Sequence, residues 1–358
     1  MIKLKTILKR IVLFVSCFLI HSYFLSAQTV TDPTIINDTI HFPSDFFDKG
    51  KTFELQLEFD IKQITINKNS EDYLPAIITY FLEDSVEIRK SIQVKSRGIF
   101  REEYCNIPPL LLNFKKSEIK DRLPSEVNKI KVVTHCFNSK QYENYLLKEY
   151  IAYKLFNIIT DYSFKVRLAR IKYIDTGRKN KTYTKWAFLI EPENMLAERL
   201  NAYPIKMDKM SHNYLDTLNA TIMTFFQYMI GNTDFSLTGR HNIKLIKLKD
   251  FTKPSIIPIP YDFDFSGFVN THYASPMEGI TIKNVTERYY RGICRNNDTY
   301  NHVIDIFFEK KDEIFEFIYS CEYLDKKNKK YVISYIEEFY EEINKPDFIE
   351  DQIRTTCF

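Results

Sequence analysis

Along residues 53–61 the sequence FELQLEFDI alternates apolar and polar side chains, the period-two pattern of a strand with one buried face. AIITYFL (76–82), SIQVKSRG (91–98) and PPLLLNF (108–114) predict further strands, and KIKVVTHC (129–136) a short buried one. The period then changes. NYLLKEYIAYKLFNII (144–159) sets Tyr145, Leu146, Tyr150, Tyr153, Leu155 and Phe156 at helical spacing without glycine or proline. VRLARIKYID (166–175) and YTKWAFLIE (183–191) return to β across a turn that begins at Gly177. LNATIMTFFQYMIGN (218–232) predicts a buried apolar helix ending at Gly231. NIKLIKL (242–248) and IIPIPYD (256–262), joined by the turn formers of KDFTKPS, predict a hairpin. Beyond about residue 300, HVIDIFFEKKDEIFEFIYS and KYVISYIEEFYEEI predict charged amphipathic helices. The class is α+β, β-rich over about 53–190 and mainly helical over about 191–358, with no internal repeat and no clear linker.

The start of the chain reads differently. Lys3, Lys5, Lys9 and Arg10 precede an apolar run over 11–25 that only Ser16, His21 and Ser22 interrupt. Ser26-Ala27-Gln28 then offers small residues for cleavage. The expectation is a signal peptide over 1–27, cut after Ala27, and a loosely structured lead-in over 28–52. An uncleaved anchor is the alternative, for which the apolar run is short. The expected location is therefore outside the cytoplasm, in a periplasm or cell envelope or secreted, with no transmembrane domain after cleavage.

Export makes disulfides possible. Of six cysteines, Cys17 leaves with the leader, and an odd number remains, so at least one thiol is unpaired within the chain. Cys105 and Cys136 each flank a strand-like run and form the first candidate pair. No C-x-x-C occurs, which argues against a zinc site of that type. A net charge of +3 with both signs interspersed and no basic stripe gives no reason to expect a nucleic-acid partner.

The candidate chemistry lies at the hairpin. Asp234 precedes its first strand, Asn242 opens that strand, and Asp262 and Asp264 follow the second. Antiparallel pairing about the turn places Asn242 opposite Asp262, at the end that Asp234 also reaches. An amide oxygen beside carboxylates is a hard-oxygen site suited to Mg²⁺ or Mn²⁺ with phosphate oxygens. Taken singly each residue is an ordinary polar cap; as a set they predict a metal and phosphate site. Gly231, Gly239, Gly267, Gly279 and Gly292, five of the eight glycines, fall in the same region, where irregular loops need their backbone freedom. A second, weaker candidate is VKSRGIFRE (94–102), in which a turn at Gly98 flanked by Arg97 and Arg101 could cover phosphates. A strand–turn–strand hairpin with solvated arginines is its alternative.

These stretches resemble the spore-coat-protein-H-like (CotH-like) atypical kinases, and more closely an exported bacteroidete branch of them. The resemblance is carried by SRGIFRE…CNIPPLLLNF, KVVTHC, YLLKEYIAYKLFNIITDYSFKVRLARIKYID, FLIEP, MIGNTDFS…RHNIKLI and IPIPYDFDFSGFVNTHYA, over about residues 55–295. It implies a distant protein-kinase-like fold over 53–358, with a β-rich N-terminal lobe and a mainly helical C-terminal lobe carrying a catalytic β-hairpin. It implies Asp234 as the catalytic aspartate, Asn242, Asp262 and Asp264 as metal ligands, Arg97 and Gly98 on a phosphate-covering turn, and Glu191 near the nucleotide hinge. Where the family tends to carry lysines after its RG loop, this chain has CNIPPLLLNF. Lys131 is then the candidate phosphate-binding lysine, with Lys95 and Lys115 behind it. The implied activity is phosphoryl transfer from ATP, with Mg²⁺ or Mn²⁺, to a protein or other hydroxyl-bearing substrate. A non-catalytic kinase-like envelope binding or assembly protein is the alternative. A metal-dependent hydrolase comes third, and no H-E-x-x-H or G-x-S-x-G motif supports a peptidase or esterase.

Overall fold

The computed structural model describes residues 45–68, 70–81, 87–114, 128–207, 211–250, 252 and 255–358, all within one compact unit, Thr39–Phe358. The expected signal peptide, Cys17, lead-in residues 28–44, Lys115, and Phe251, Lys253 and Pro254 of the hairpin turn lie outside the described residues.

The alternating segments all become strands: β1 (Phe53–Phe59), β2 (Leu74–Phe81), β3 (Glu87–Ser96), β4 (Leu110–Asn113), β5 (Lys129–Val133), β6 (Val166–Asp175) and β7 (Lys181–Ile190). They form one closed barrel in the order β1-β2-β3-β4-β5-β7-β6. Neighbours are antiparallel except β1 and β6, whose parallel pairing closes the ring. Alternate residues such as Leu57, Ile78, Val94, Leu112, Val132 and Ile171 fill the interior. The described end of the lead-in adds Phe46 and Phe47, both buried in the same core, so that stretch is packed rather than loose.

This closure overturns the two-lobed kinase-like fold that the resemblance implied. The molecule has a closed, mixed seven-stranded barrel, a separate three-stranded sheet and helices. Period-two patterning shows that a segment is a strand and which face is buried. It does not show which strand lies beside it, and β1 meets β6 only after more than a hundred intervening residues.

The Lys140–Ile159 helix packs on β6 and β7 and, on another side, against the Lys311–Ser320 helix. It is buried around most of its circumference. The small sheet has the order β10-β9-β8, from β8 (Ala202–Ile205), β9 (Ile243–Leu248) and β10 (Ile256–Pro260). The apolar Thr217–Met229 helix lies against β10. A second core joins these elements to the C-terminal helices Asn297–Glu309, Lys311–Ser320 and Lys326–Ile343. Disulfides Cys105–Cys136 and Cys294–Cys357 are formed, and Cys321 is a buried free thiol. Among the described residues no helix is long and apolar enough to cross a membrane.

Candidate functional site

The hairpin forms, one residue out of the expected register. Pro260 pairs with Ile243, so Asn242 faces Tyr261, whose N–H donates to the Asn242 carbonyl at 3.0 Å. Asp262 therefore lies one residue past the position expected opposite Asn242. In a regular sheet such a slip would send the side chain to the other face. Here the pleat ends at both residues: Asn242 has φ 54° and Asp262 φ 65°. Asn and Asp tolerate this left-handed region better than other side chains, and it is a conformation that recurs at functional sites. Asn242 and Asp262 consequently line one cleft of about 440 Å³ together with Asp234 and Asp264.

Asp234 sits on the loop after the Thr217–Met229 helix, and its N–H donates to Asn232 Oδ1 at 3.0 Å. The Asn242 amide nitrogen donates to the Asp234 carbonyl at 2.8 Å and to its Oδ2 at 2.9 Å. His241 Nε2 lies 2.9 Å from Oδ1. Asn242 thus spends its amide nitrogen on fixing Asp234, and its amide oxygen is the atom left to serve a cation.

Asp262 and Asp264 belong to a different cluster. With Glu149, from the Lys140–Ile159 helix, they bring one carboxylate oxygen each to within 4.8 Å of one another. The Arg101 guanidinium reaches all three: Nη2 is 2.7 Å from Glu149 and 3.2 Å from Asp262, and Nε is 3.0 Å from Asp264. Tyr273 donates to Asp264 Oδ2 at 3.0 Å. Burial pushes the Glu149 carboxyl up to about 8, against the pull of Arg101. Burial likewise raises Asp264 to about 7, again opposed by Arg101. Burial also works against the Arg101 charge, but Asp264, Glu149 and Asp262 outweigh it and hold that charge firmly in place. After burial, the mutual repulsion of the carboxylates adds to the rise, since one guanidinium faces three of them.

The cleft also carries cationic side chains. Arg97, Lys131 and Arg240 line it. Burial, then the charges of Arg97 and Lys244, lowers Lys131 to about 8. Lys131 Nζ stands 5.4 Å from the centre of the Tyr261 ring. Gly98, at φ 108° where a side chain would be strained, turns the chain out of β3. The chain then enters the short Phe100–Tyr104 helix rather than a second strand.

The cleft therefore gathers Arg97, Gly98, Lys131, Asp234, Asn242, Asp262 and Asp264. Glu191 is not among its lining residues. Arg199 engages both Glu191 oxygens at 2.9 Å, and the Lys165 N–H donates to one of them at 3.0 Å. These bonds tie the start of β6 to the Glu193–Arg199 helix. Lys95 pairs with Glu71 instead. Glu149 is not among the site residues expected from the sequence, although a signal for it exists: a charged Lys148-Glu149 pair inside a helix that is otherwise largely apolar and buried. The sequence offers Arg101 only as one of two arginines that could cover phosphates, because its carboxylate partners are remote in sequence.

A second, larger groove of about 940 Å³ adjoins the cleft through Lys131. Gln93, Asn113 and Asn128 from the barrel side and Glu193 and Asn194 from the start of the helix line it. Chemically, the cleft offers a hard-oxygen cation cluster, a cationic wall suited to phosphate, and a separately held carboxylate. No protein-family model matches the chain, and no curated protein matches it.

Proposed function

We propose that this chain is an exported, metal-dependent phosphotransferase that moves a phosphoryl group from a nucleoside triphosphate, ATP in the first instance, to a hydroxyl on a protein or other acceptor. The observation that carries the reading is the gathering of both charges in one cleft: Asp262 and Asp264, grouped with the buried Glu149, together with Arg97, Lys131 and Arg240. The donor set fits Mg²⁺ or Mn²⁺, being all oxygen and closely grouped, with Glu149 Oε1 buried and without a hydrogen-bond partner. Such an ion supplies charge neutralisation for the phosphates.

The side chains divide the remaining work. Arg97 and Lys131 orient the phosphates and oppose their charge. Asp234, held by Asn242 and His241, takes the proton of the attacking hydroxyl as the new O–P bond forms, and the nucleoside diphosphate leaves. The amide-lined groove beyond Lys131 receives the nucleoside, which gives a ligand of this length a continuous seat. The resemblance of MIGNTDFS…RHNIKLI and IPIPYDFDFSG to CotH-like kinases supports the same chemistry on a different scaffold. Two disulfides and a leader-like start support export.

The test is a thermal-shift screen of the mature protein with ATP, ADP and GTP, each with Mg²⁺ or Mn²⁺. Ligand at 100 times its dissociation constant stabilises by about 2.7 kcal/mol. Transfer from labelled ATP to candidate acceptors follows. One observation favours a non-catalytic binding protein: Arg101 already bridges the triad. Absence of any metal-dependent nucleotide shift would decide for that second reading.

A further inference from the structure

Arg101 sits where a cation would. Its guanidinium contacts Glu149, Asp262 and Asp264 at 2.7, 3.2 and 3.0 Å, the three residues whose carboxylate oxygens group within 4.8 Å. An ordinary buried ion pair satisfies the oxygens it encloses. This one does not: Glu149 is 1% exposed, yet its Oε1 has no hydrogen-bond partner among the described residues. A single positive charge is shared among three carboxylates, and one buried oxygen within the cluster is left over.

The arginine is also part of the cleft lining. It belongs to the segment 97–101, which borders the cleft. The backbone there is held at both ends, by the Arg97 N–H donating to the Pro109 carbonyl at 2.9 Å and by the Cys105–Cys136 disulfide. Between these anchors Ile99 is 87% exposed, and Phe100 leans on Phe265 and Tyr273. Arg101 lines the cleft together with Arg97 and Lys131.

We propose that Arg101 and a divalent cation compete for the Glu149–Asp262–Asp264 triad, so that the ion enters as the guanidinium swings out into the cleft and becomes a phosphate contact. Two like charges cannot share so small a group of oxygens without strong repulsion. The exchange makes cation and polyphosphate binding mutually reinforcing, because the polyphosphate offers the displaced guanidinium a bidentate partner. The inference rests on the cation-binding part of the proposed function and deepens it into a gating device.

The experiment is titration of the disulfide-bonded protein with Mn²⁺ alone, and with Mn²⁺ plus inorganic tripolyphosphate, reading free Mn²⁺ by electron paramagnetic resonance. Wild type, Arg101→Met and Arg101→Lys are compared after circular dichroism confirms folding. Arg101→Met is expected to bind Mn²⁺ at least tenfold more tightly than wild type and to lose most of the tightening that tripolyphosphate gives the wild type. Arg101→Lys keeps the charge but not the planar fork, and is expected to fall between them. It carries the comparison should the methionine variant fail to fold. Wild-type binding of Mn²⁺ with neither variant tighter overturns the competition and leaves the cation site standing. No Mn²⁺ binding by any variant overturns both.

Discussion

Asn242 holds Asp234 at two points, donating from one amide nitrogen to its carbonyl at 2.8 Å and to its carboxylate at 2.9 Å. The contact exists because Asn242 leaves its strand in the left-handed region, φ 54°. Two costs should therefore separate on mutation. Asn242→Ala loses the hydrogen bonds and places a β-carbon in a disfavoured conformation. Asn242→Gly loses the same bonds but relaxes the backbone. Leaving a partly buried acceptor unmet costs about 1–3 kcal/mol, and the left-handed conformation about 1–2 kcal/mol. Chemical denaturation is expected to show both variants destabilised, with glycine the milder by about 1 kcal/mol. Equal losses would mean that the φ at this position carries no strain.

Burial of Glu149 and Asp264, reinforced by their neighbouring carboxylates, predicts an unusual pH dependence. Glu149 stands at about 8 in the folded protein against an ordinary value of 4.5, and Asp264 at about 7 against 3.8. Both are raised, so the folded state binds these protons more tightly than the unfolded chain. The stabilisation is complete below the ordinary carboxyl values and is lost as pH rises through 7 and 8. Denaturation midpoints are expected to fall between about pH 5 and pH 8. Glu149→Gln, which mimics the protonated acid, should flatten part of that slope. Saturating Mn²⁺ should restore stability at the upper end, since the metal takes the deprotonated ligands. An unchanged slope in Glu149→Gln would assign the effect to other groups.

What could be read from the chain followed the range of each signal. The strand alternation of FELQLEFDI or VRLARIKYID is local, and it located β1 and β6 to within two residues. Their pairing is not local: Leu55 lies between Tyr80 on one side and Ile171 on the other, and nothing in either segment specifies the second partner. The kinase-like expectation failed at that closure. The five-residue Phe100–Tyr104 helix is too short to show a period. The carboxylates of the site were legible where they crowd into one stretch, from Asp234 to Asp264. Glu149 and Arg101 were not, because their partners come from other elements and only folding brings them together. Lys131 was the opposite case, one of two lysines in the short KIKVV strand, and its position on the cleft wall follows from that strand.

The disulfides make a separate prediction. Cys105–Cys136 closes a separation of 31 residues and pins the end of the segment that carries Arg101. Loop-closure entropy assigns about 3–4 kcal/mol to a link of that span. The paired Cys105→Ser, Cys136→Ser variant is expected to lose stability of that order and, by loosening the competing hold of Arg101 on the triad, to tighten Mn²⁺ binding as well. The corresponding change at Cys294 and Cys357, which closes 63 residues and lines no part of the cleft, should lower stability while leaving Mn²⁺ affinity alone. Calorimetry and the Mn²⁺ titration together make the comparison. Equal effects on affinity would deny the first disulfide any special relation to the site.

Asp234 and Asp262 line the same cleft with different neighbours, and the proposed chemistry requires them to fail differently. Asp262 belongs to the triad that would hold the cation, so Asp262→Ala should remove metal-dependent nucleotide binding and activity together. Asp234 is outside that triad, held by Asn242 and His241. Asp234→Ala should leave nucleotide affinity nearly intact while lowering turnover by about 10²–10⁴-fold, the usual worth of a general base. Neither change opens a core cavity, because the side chains are 35% and 41% exposed for Asp234 and Asp262. Removing Asp262 also lessens repulsion among like charges. Both variants are therefore expected to fold, which circular dichroism would establish before nucleotide titration and a phosphate-transfer assay. Parallel loss of binding in both would place Asp234 among the metal ligands instead. Loss of folding in either would show that the carboxylate serves as a structural cap of the hairpin end, and the catalytic assignment would fall with it.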